Sequence, residues 1–256
     1  MNEGNREKPQ HRVSFVMPAF NEEGNVRAAV RRAAEALEKF AADYEIVFVD
    51  DGSSDATGAI LDSLAAETPA LRVIHHGVNK GYGAALRSGF LAARFPLVFY
   101  TDADNQFDPM EIGKFLPHAA DFHVVAGRRV RRADPLIRLV CSKTFNLAVG
   151  LLFRVGVGDV NCAFKLFRRE VFDALAIESD DFFVDAEILA KARALGFSIK
   201  EIPVSHFPRT SGAPTVGAGD VPRTLRAIFR IRRSLKTLSS RTGAEDGRTN
   251  RSRERG

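Results

Sequence analysis

The sequence predicts an α/β protein built on one mostly parallel sheet with helices on both faces. Three observations carry this reading. Short apolar runs alternate with helical patterns from Val13 onward. The runs are continuous rather than alternating apolar with polar, as in strands buried on both sides. And 256 residues with 45% hydrophobic content suffice to bury one large core.

Val13 to Phe20, Tyr44 to Asp50, Leu71 to His76, Pro96 to Asp102 and Phe122 to Ala126 are the expected strands, and Glu22 to Phe40, Asp55 to Glu67 and Gly83 to Arg94 the helices between them. No internal repeat is visible. Residues 1–11 and 239–256 are polar or rich in Gly, Ser and Arg and read as disordered tails. Residues 12–215 form the domain and 216–238 a basic amphipathic helix. In that helix Val221, Leu225, Ile228, Leu235 and Leu238 recur at helical spacing among Arg223, Arg226, Arg230, Arg233 and Lys236.

Composition excludes several classes. Lys and Arg number 37 against 32 Asp and Glu, a net charge of +5 and too mild an excess for a dedicated nucleic-acid binder. The two cysteines, Cys141 and Cys162, have no metal-ligand spacing, and the polar N-terminus reads as no secretory signal, so both are expected as free thiols. Leu147 to Phe153, the longest uncharged apolar run, is far below the ~20 residues that span a bilayer.

Sheets of this kind bind ligands at the carboxyl ends of their strands, and four consecutive strand ends carry acids, Gly or Lys. These are Pro18-Ala19-Phe20-Asn21-Glu22, Asp50-Asp51-Gly52-Ser53, Asn79-Lys80-Gly81 and Asp102-Ala103-Asp104-Asn105-Gln106. In an extended segment Asp102, Asp104 and Gln106 point to one side and offer oxygens to one hard cation. Mg²⁺ or Mn²⁺ suits such a partial shell, since these ions keep positions for water and substrate phosphates. A turn in which Asp104 or Asp108 caps the helix starting near Pro109 is the competing reading; it accounts for Asp108 and leaves Asp102 and Asp104 unexplained. An EF-hand loop fails, because Phe107 and Gly113 stand where it needs Gly and Glu. A haloacid-dehalogenase-type phosphatase, which places its acid pair on the first strand, remains a poor second.

The blocks VSFVMPAFNEEGNV, YEIVFVDDGSSDAT, NKGYGAALRSGF, YTDADNQFDP, VVAGRR, DVNCAFKLFRR and HFPRTSG, spread over Val13 to Gly212, resemble the family 2 glycosyltransferases. Within them the likeness is to polyprenyl-phosphate (dolichyl-phosphate) mannosyl- and glucosyltransferases. The resemblance implies a GT-A fold, a Rossmann-like nucleotide-binding half around a mixed central sheet. It places Pro18, Phe20, Glu22, Asp50, Asp51, Lys80, Gly81 and Arg209 at the donor, with Asp51 favoured over Asp50 for a direct hydrogen bond. Phe20 stands where Tyr is common, which keeps stacking and loses a hydroxyl. Asp102, Asp104 and Gln106 match the metal triad, with Asp102, Asp104 and Arg129 as catalytic residues. Arg129, Arg138 and Ser142 match the positions that hold the lipid phosphate.

Asp185 and Glu187 match acids near the acceptor, although capping or surface charge explains either more simply. A phosphate nucleophile, dianionic with a second pKa of about 6, needs little help from a base, so no catalytic base is assigned. Ala163 replaces a common Gly, and Ala213-Pro214-Thr215 replaces Ser-Lys after the HFPRTSG loop.

The expected activity is inverting transfer of a hexose, mannose from GDP-mannose first and UDP-glucose or UDP-N-acetylhexosamine as the near alternative, to a polyprenyl phosphate. A non-catalytic sugar-nucleotide binding protein is the reading from a different class. Leu136 to Phe153 reads either as lying on a membrane surface or as a buried helix, and the 216–238 helix either as resting in an anionic interface or as packed on the domain. The chain is expected at the cytoplasmic face of a membrane, peripherally or through a separate membrane-protein partner.

Overall fold

The structure, a computed structural model, describes residues 10–130, 136–209 and 228–235; for 136–141 it describes the backbone alone. In chain order the elements are β1 (Arg12–Ala19), α1 (Val26–Phe40), β2 (Asp43–Asp50), α2 (Thr57–Glu67), β3 (Leu71–His75), α3 (Tyr82–Ala92), β4 (Leu97–Thr101), α4 (Ile112–Phe115), β5 (Val124–Val130), α5 (Leu136–Phe153), β6 (Phe164–Arg168), α6 (Glu170–Ala174), α7 (Val184–Ala194) and β7 (Ile199–Ser205). Residues 228–235 form a last helix, α8. The tails and most of the 216–238 segment lie outside the described residues.

Seven strands make one sheet in the order β3-β2-β1-β4-β6-β5-β7. β1 pairs in parallel with β2 and β4, and β2 with β3. β6 runs antiparallel to both β4 and β5, while β7 is parallel to β5. In β1 every residue from Val13 to Ala19 is buried, so both faces are covered. Phe99 of β4 sits at the centre, stacked on Phe15 at 5.0 Å and meeting Phe115 and Phe164 edge-on at 5.5 and 4.7 Å. Aromatic pairs of this geometry add about 1 kcal/mol each beyond their burial.

The sheet is mixed, and β6 and β7 are absent from the sequence expectation. β6 carries Lys165 and Arg168, and β7 carries Lys200, Glu201 and Pro203, which hides their period. β7 lies at the sheet edge, where a proline and charges are tolerated. β5 runs on to Val130, so Arg128 and Arg129 belong to a strand.

α1 starts at Val26 rather than Glu22, because Asn21 has φ of 54° and the left-handed turn breaks the helical path. Glu22 is thereby a loop residue. Asp108 caps the turn at Pro109 as expected, its Oδ1 accepting the Met110 amide at 3.2 Å. No helix among the described residues is long and apolar enough to cross a membrane.

Candidate active site

The carboxyl ends of β1, β2 and β4 converge because these strands are parallel neighbours, with Ala19 opposite Asp50. Asp102 follows β4 directly. Its Oδ1 accepts the Tyr82 hydroxyl at 2.8 Å. Asp104 lies in the next turn, its Oδ1 accepting the Gln106 amide at 3.0 Å, and Asn105 at φ 60° reverses the chain. Gln106 donates its Nε2 to the Phe207 carbonyl at 3.0 Å, while Phe207 returns its amide to the Gln106 carbonyl at 2.8 Å.

That clasp brings in Arg209, whose guanidinium pairs with Glu22. Arg209 also acts on Asp104 through its charge, so an acid from β1's loop, the acid pair after β4 and a cation from beyond β7 share one place. Burial raises Asp102 well above the usual carboxylate range, and the charge of Asp104 raises it further. Burial likewise raises Asp104 and Glu22; for Glu22, Asp104 adds to the rise while Asn25 and Arg209 oppose it.

The first two loops are laced together. Ser53 Oγ receives the Asn21 amide at 2.9 Å, Asn21 Oδ1 receives that of Ser54 at 2.8 Å, and Thr57 Oγ1 that of Glu22 at 2.8 Å. Phe20 is 37% exposed beside them, and Pro18 is buried in β1. Asp50 and Asp51 are turned inward. Asp50 accepts the Ser53 amide and His75 Nδ1, each at 3.0 Å. Asp51 Oδ1 pairs with His76 Nδ1 at 2.6 Å and accepts the Lys80 amide at 2.9 Å, and its Oδ2 accepts the Gly81 amide at 2.9 Å. Asp51 therefore shapes the Lys80-Gly81 loop, from which the Lys80 side chain is exposed.

Arg129, on β5, forms a two-pronged pair with Asp159, both side chains largely buried. Ser142 lies in α5 and is half-buried; the side chain of Arg138 is outside the described residues. α5 buries Val149 and Phe153 and leaves Leu147, Leu151 and Leu152 exposed, Leu151 by 72%.

Asp185 and Glu187, which the resemblance sets near the acceptor, are buried internal anchors rather than caps or surface charges. Asp185 accepts Lys165 Nζ at 2.8 Å and the Tyr100 hydroxyl, all three buried. Glu187 accepts the amides of Glu178 and Ser179 at 2.8 and 2.7 Å and the Lys191 ammonium at 2.5 Å. His206 packs edge-on against Phe107 at 5.1 Å. Cys162 is a buried free thiol. Asp159 and Lys165 fall in the block Asp159 to Lys165, which the resemblance sets along the sugar and acceptor region, and Tyr82 in the block after β3. Sequence reasoning gave none of the three an individual role; the one local signal was a lysine inside the apolar stretch Ala163-Phe164-Lys165-Leu166-Phe167.

The donor set fits a hard divalent cation. Asp102 and Asp104 each spend Oδ1 within the protein and bring a second oxygen, and Gln106 keeps its amide oxygen after Nε2 is used. Among the described residues no group of three His, Cys, Asp or Glu forms a cage. Two carboxylates and an amide are a half shell of the kind phosphate oxygens complete.

Residues 14–176 match the model of glycosyl transferase family 2. The chain belongs to glycosyl transferase family 2. This family member is 38% identical over 213 residues to the undecaprenyl-phosphate 4-deoxy-4-formamido-L-arabinose transferase of Pseudomonas fluorescens, covering 81% of this chain and 61% of the relative. It is 36% identical over 207 residues to the glycosyltransferase AglD of Haloferax volcanii, covering 77% of this chain and 33% of the relative. Against polyprenol monophosphomannose synthase of Mycolicibacterium smegmatis the identity is 31% over 238 residues, 88% and 87% of the two chains. The chain thus spans a third to three fifths of the first two relatives and most of the third.

Among solved structures, glucosyl-3-phosphoglycerate synthase from Mycobacterium tuberculosis, crystallised with Mn²⁺, UDP and glucosyl-3-phosphoglycerate, superposes with a TM-score of 0.64 at 16% identity, over 90% of this chain and 80% of that one. The family 2 member accordingly has the GT-A fold, and the phosphatase reading falls.

Proposed function

We propose that the chain is an inverting, metal-dependent glycosyltransferase that moves a hexose from a nucleotide diphosphate sugar to a polyprenyl phosphate, with mannose from GDP-mannose as the leading donor. The observation that carries the reading is the convergence of Asp102 and Asp104 with the Glu22–Arg209 pair at the carboxyl end of the sheet. Two half-buried acids beside one arginine suit a diphosphate leaving group. Mg²⁺ or Mn²⁺, held by Asp102, Asp104 and Gln106, would supply the positive charge that stabilises the departing diphosphate.

The protein's own residues do the rest. Phe20 offers an exposed ring to the base, and Pro18 fixes the strand end beneath it. Asp50 and Asp51 hold the loops on which base and ribose rest, Asp51 through the Lys80 and Gly81 amides. Glu22 holds Arg209 until the diphosphate competes for its donors. Arg129, aimed by Asp159, together with Arg138 and Ser142, holds the acceptor phosphate, which attacks the anomeric carbon in line and inverts it. An α-linked donor then yields a β-linked product.

The acceptor assignment is supported by the names of two relatives, an undecaprenyl-phosphate sugar transferase and a polyprenol monophosphomannose synthase. It is also supported by Leu147, Leu151 and Leu152, an exposed apolar strip on the helix that carries Arg138 and Ser142. Such a strip suits the surface of a membrane, and the reading is of a protein peripheral at the cytoplasmic face, alone or with a membrane-protein partner.

The test is incubation with a short-chain polyprenyl phosphate, Mg²⁺ or Mn²⁺ and labelled GDP-mannose, UDP-glucose or UDP-N-acetylglucosamine in turn, followed by extraction into organic solvent. Label in the lipid phase from one donor, lost with EDTA and in Asp102→Ala, names the reaction and the sugar. Absence of lipid label from every donor, with a folded protein that binds nucleotide sugar, overturns the lipid acceptor.

A further inference from the structure

Asp102 leaves β4 with a carboxylate whose terminal torsion has a broad, two-fold profile, so something must decide which oxygen faces the site. Among the described residues its hydrogen-bond donor is the Tyr82 hydroxyl, at 2.8 Å from Oδ1. Asp104 has a backbone amide for the same purpose; Asp102 depends on a side chain from another element, the first residue of α3.

Tyr82 is held on three sides. Its ring stacks on Phe182 with centroids 5.3 Å apart and planes 22° from parallel. Its two neighbours are glycines pressed against the backbone of 179–180. A Cβ at Gly81 would lie 2.2 Å from the Asp180 carbonyl oxygen, and one at Gly83 2.3 Å from that of Ser179. The Gly83 amide donates to the Asp180 carbonyl at 3.0 Å, and Arg87 reaches Asp180 Oδ1 at 2.7 Å.

The 179–182 segment is itself fixed. Glu187 takes the Ser179 amide from α7, and Arg230 of α8 donates to Ser179 Oγ at 2.9 Å and to Asp181 Oδ1 at 3.3 Å. Four elements thus converge to aim one phenol at one carboxylate oxygen. Packing alone would need the ring and not the hydroxyl.

We propose that Tyr82 is the positioning residue for Asp102, with its hydroxyl holding Oδ1 so that Oδ2 is presented to a divalent cation. The inference rests on the metal reading above. Residues that orient a metal ligand through a hydrogen bond typically contribute 10- to 100-fold in metal affinity.

The test compares the full chain with Tyr82→Phe, which keeps the ring on Phe182 and removes only the hydroxyl. Binding of Mn²⁺ is followed by the paramagnetic resonance signal of the free ion, with Mn²⁺ alone and with UDP or GDP present. Thermal unfolding is recorded with and without the metal. The expected result is Mn²⁺ affinity about 10-fold weaker, an unchanged metal-free Tm, and a smaller Tm rise on adding Mn²⁺. Equal Mn²⁺ affinity in the two proteins overturns the role of Tyr82 and leaves the metal reading standing. A wild-type chain that binds no Mn²⁺, alone or with either nucleotide, overturns the metal reading itself.

Discussion

Arg129 and Asp159 meet in a two-pronged ion pair, Nε to Oδ2 at 2.8 Å and Nη2 to Oδ1 at 2.7 Å, and Oδ2 also accepts the Arg129 backbone amide at 3.1 Å. A planar guanidinium held this way has a fixed orientation. Asp159→Ala breaks the two-pronged pair of a largely buried guanidinium, and breaking comparable pairs costs about 3 kcal/mol. Urea unfolding is expected to show that loss, and the KM for polyprenyl phosphate to rise more than kcat falls. A KM unchanged in a folded variant would separate Arg129 from the acceptor.

Asp102 and Asp104 are both half-buried; lost hydration raises each carboxyl, and repulsion from the Asp104 charge raises Asp102 further. Replacing Asp104 with Asn relieves the repulsion. The metal-free variant is expected to melt at a higher temperature than the wild type while losing glycosyl transfer by at least about 100-fold, the trade between stability and activity common at strained sites. Calorimetry in EDTA alongside the transfer assay checks both halves.

Lys165 and Asp185 form a buried pair in which the Tyr100 hydroxyl and the Cys162 carbonyl also take part. Lys165→Met strands Asp185 and is expected to destabilise the fold by about 3–5 kcal/mol. Lys165→Met with Asp185→Leu removes both charges and is expected to recover most of that loss. A double variant no more stable than the single one would show that the pair contributes more than charge balance.

His75 joins Asp50 to Asp62, at 3.0 and 2.9 Å. Burial lowers its pKa, and the bonds to Asp62 and Asp50 outweigh that and raise it above 6.5. The folded state therefore holds a proton that the unfolded state has released. Its stabilisation is complete below the unfolded pKa and fades as pH rises through the folded value. His75→Gln is expected to lower Tm more at about pH 6 than at about pH 9; an equal loss at both would mean the ring acts uncharged.

Gly81 has φ 98° and ψ 157° and lies against the Asp180 carbonyl. Such backbone is nearly restricted to glycine, and forcing a side chain into it costs about 1–3 kcal/mol. Gly81→Ala is expected to lower Tm and to raise the KM for the nucleotide sugar, because the loop it distorts is the one Asp51 anchors. Unchanged donor KM would place the donor away from this loop.

Much of the fold was legible in the chain. The first four strands and their helices appear within a few residues of expectation, because each is long and apolar enough to show its period. β6 and β7 were hidden by charges. Lys165 reads as a surface residue until its partner Asp185 is seen, and β7 tolerates Lys200, Glu201 and Pro203 because it is an edge.

The sequence by itself determined the family, through the ordered blocks that resemble it, and the parallel half of the sheet and the acid pair after β4, since these last rest on local order: period, turn residues and the spacing of two carboxylates. The tertiary structure decided what those acids face. It brought Arg209 to Glu22 across 187 positions, Tyr82 to Asp102 across 20 and Asp159 to Arg129 across 30. Pairings of polar side chains depend on strand register, burial and loop paths, which no local pattern encodes; hydrophobic periodicity says which face of an element is inside, and only the packed sheet says which charge waits there.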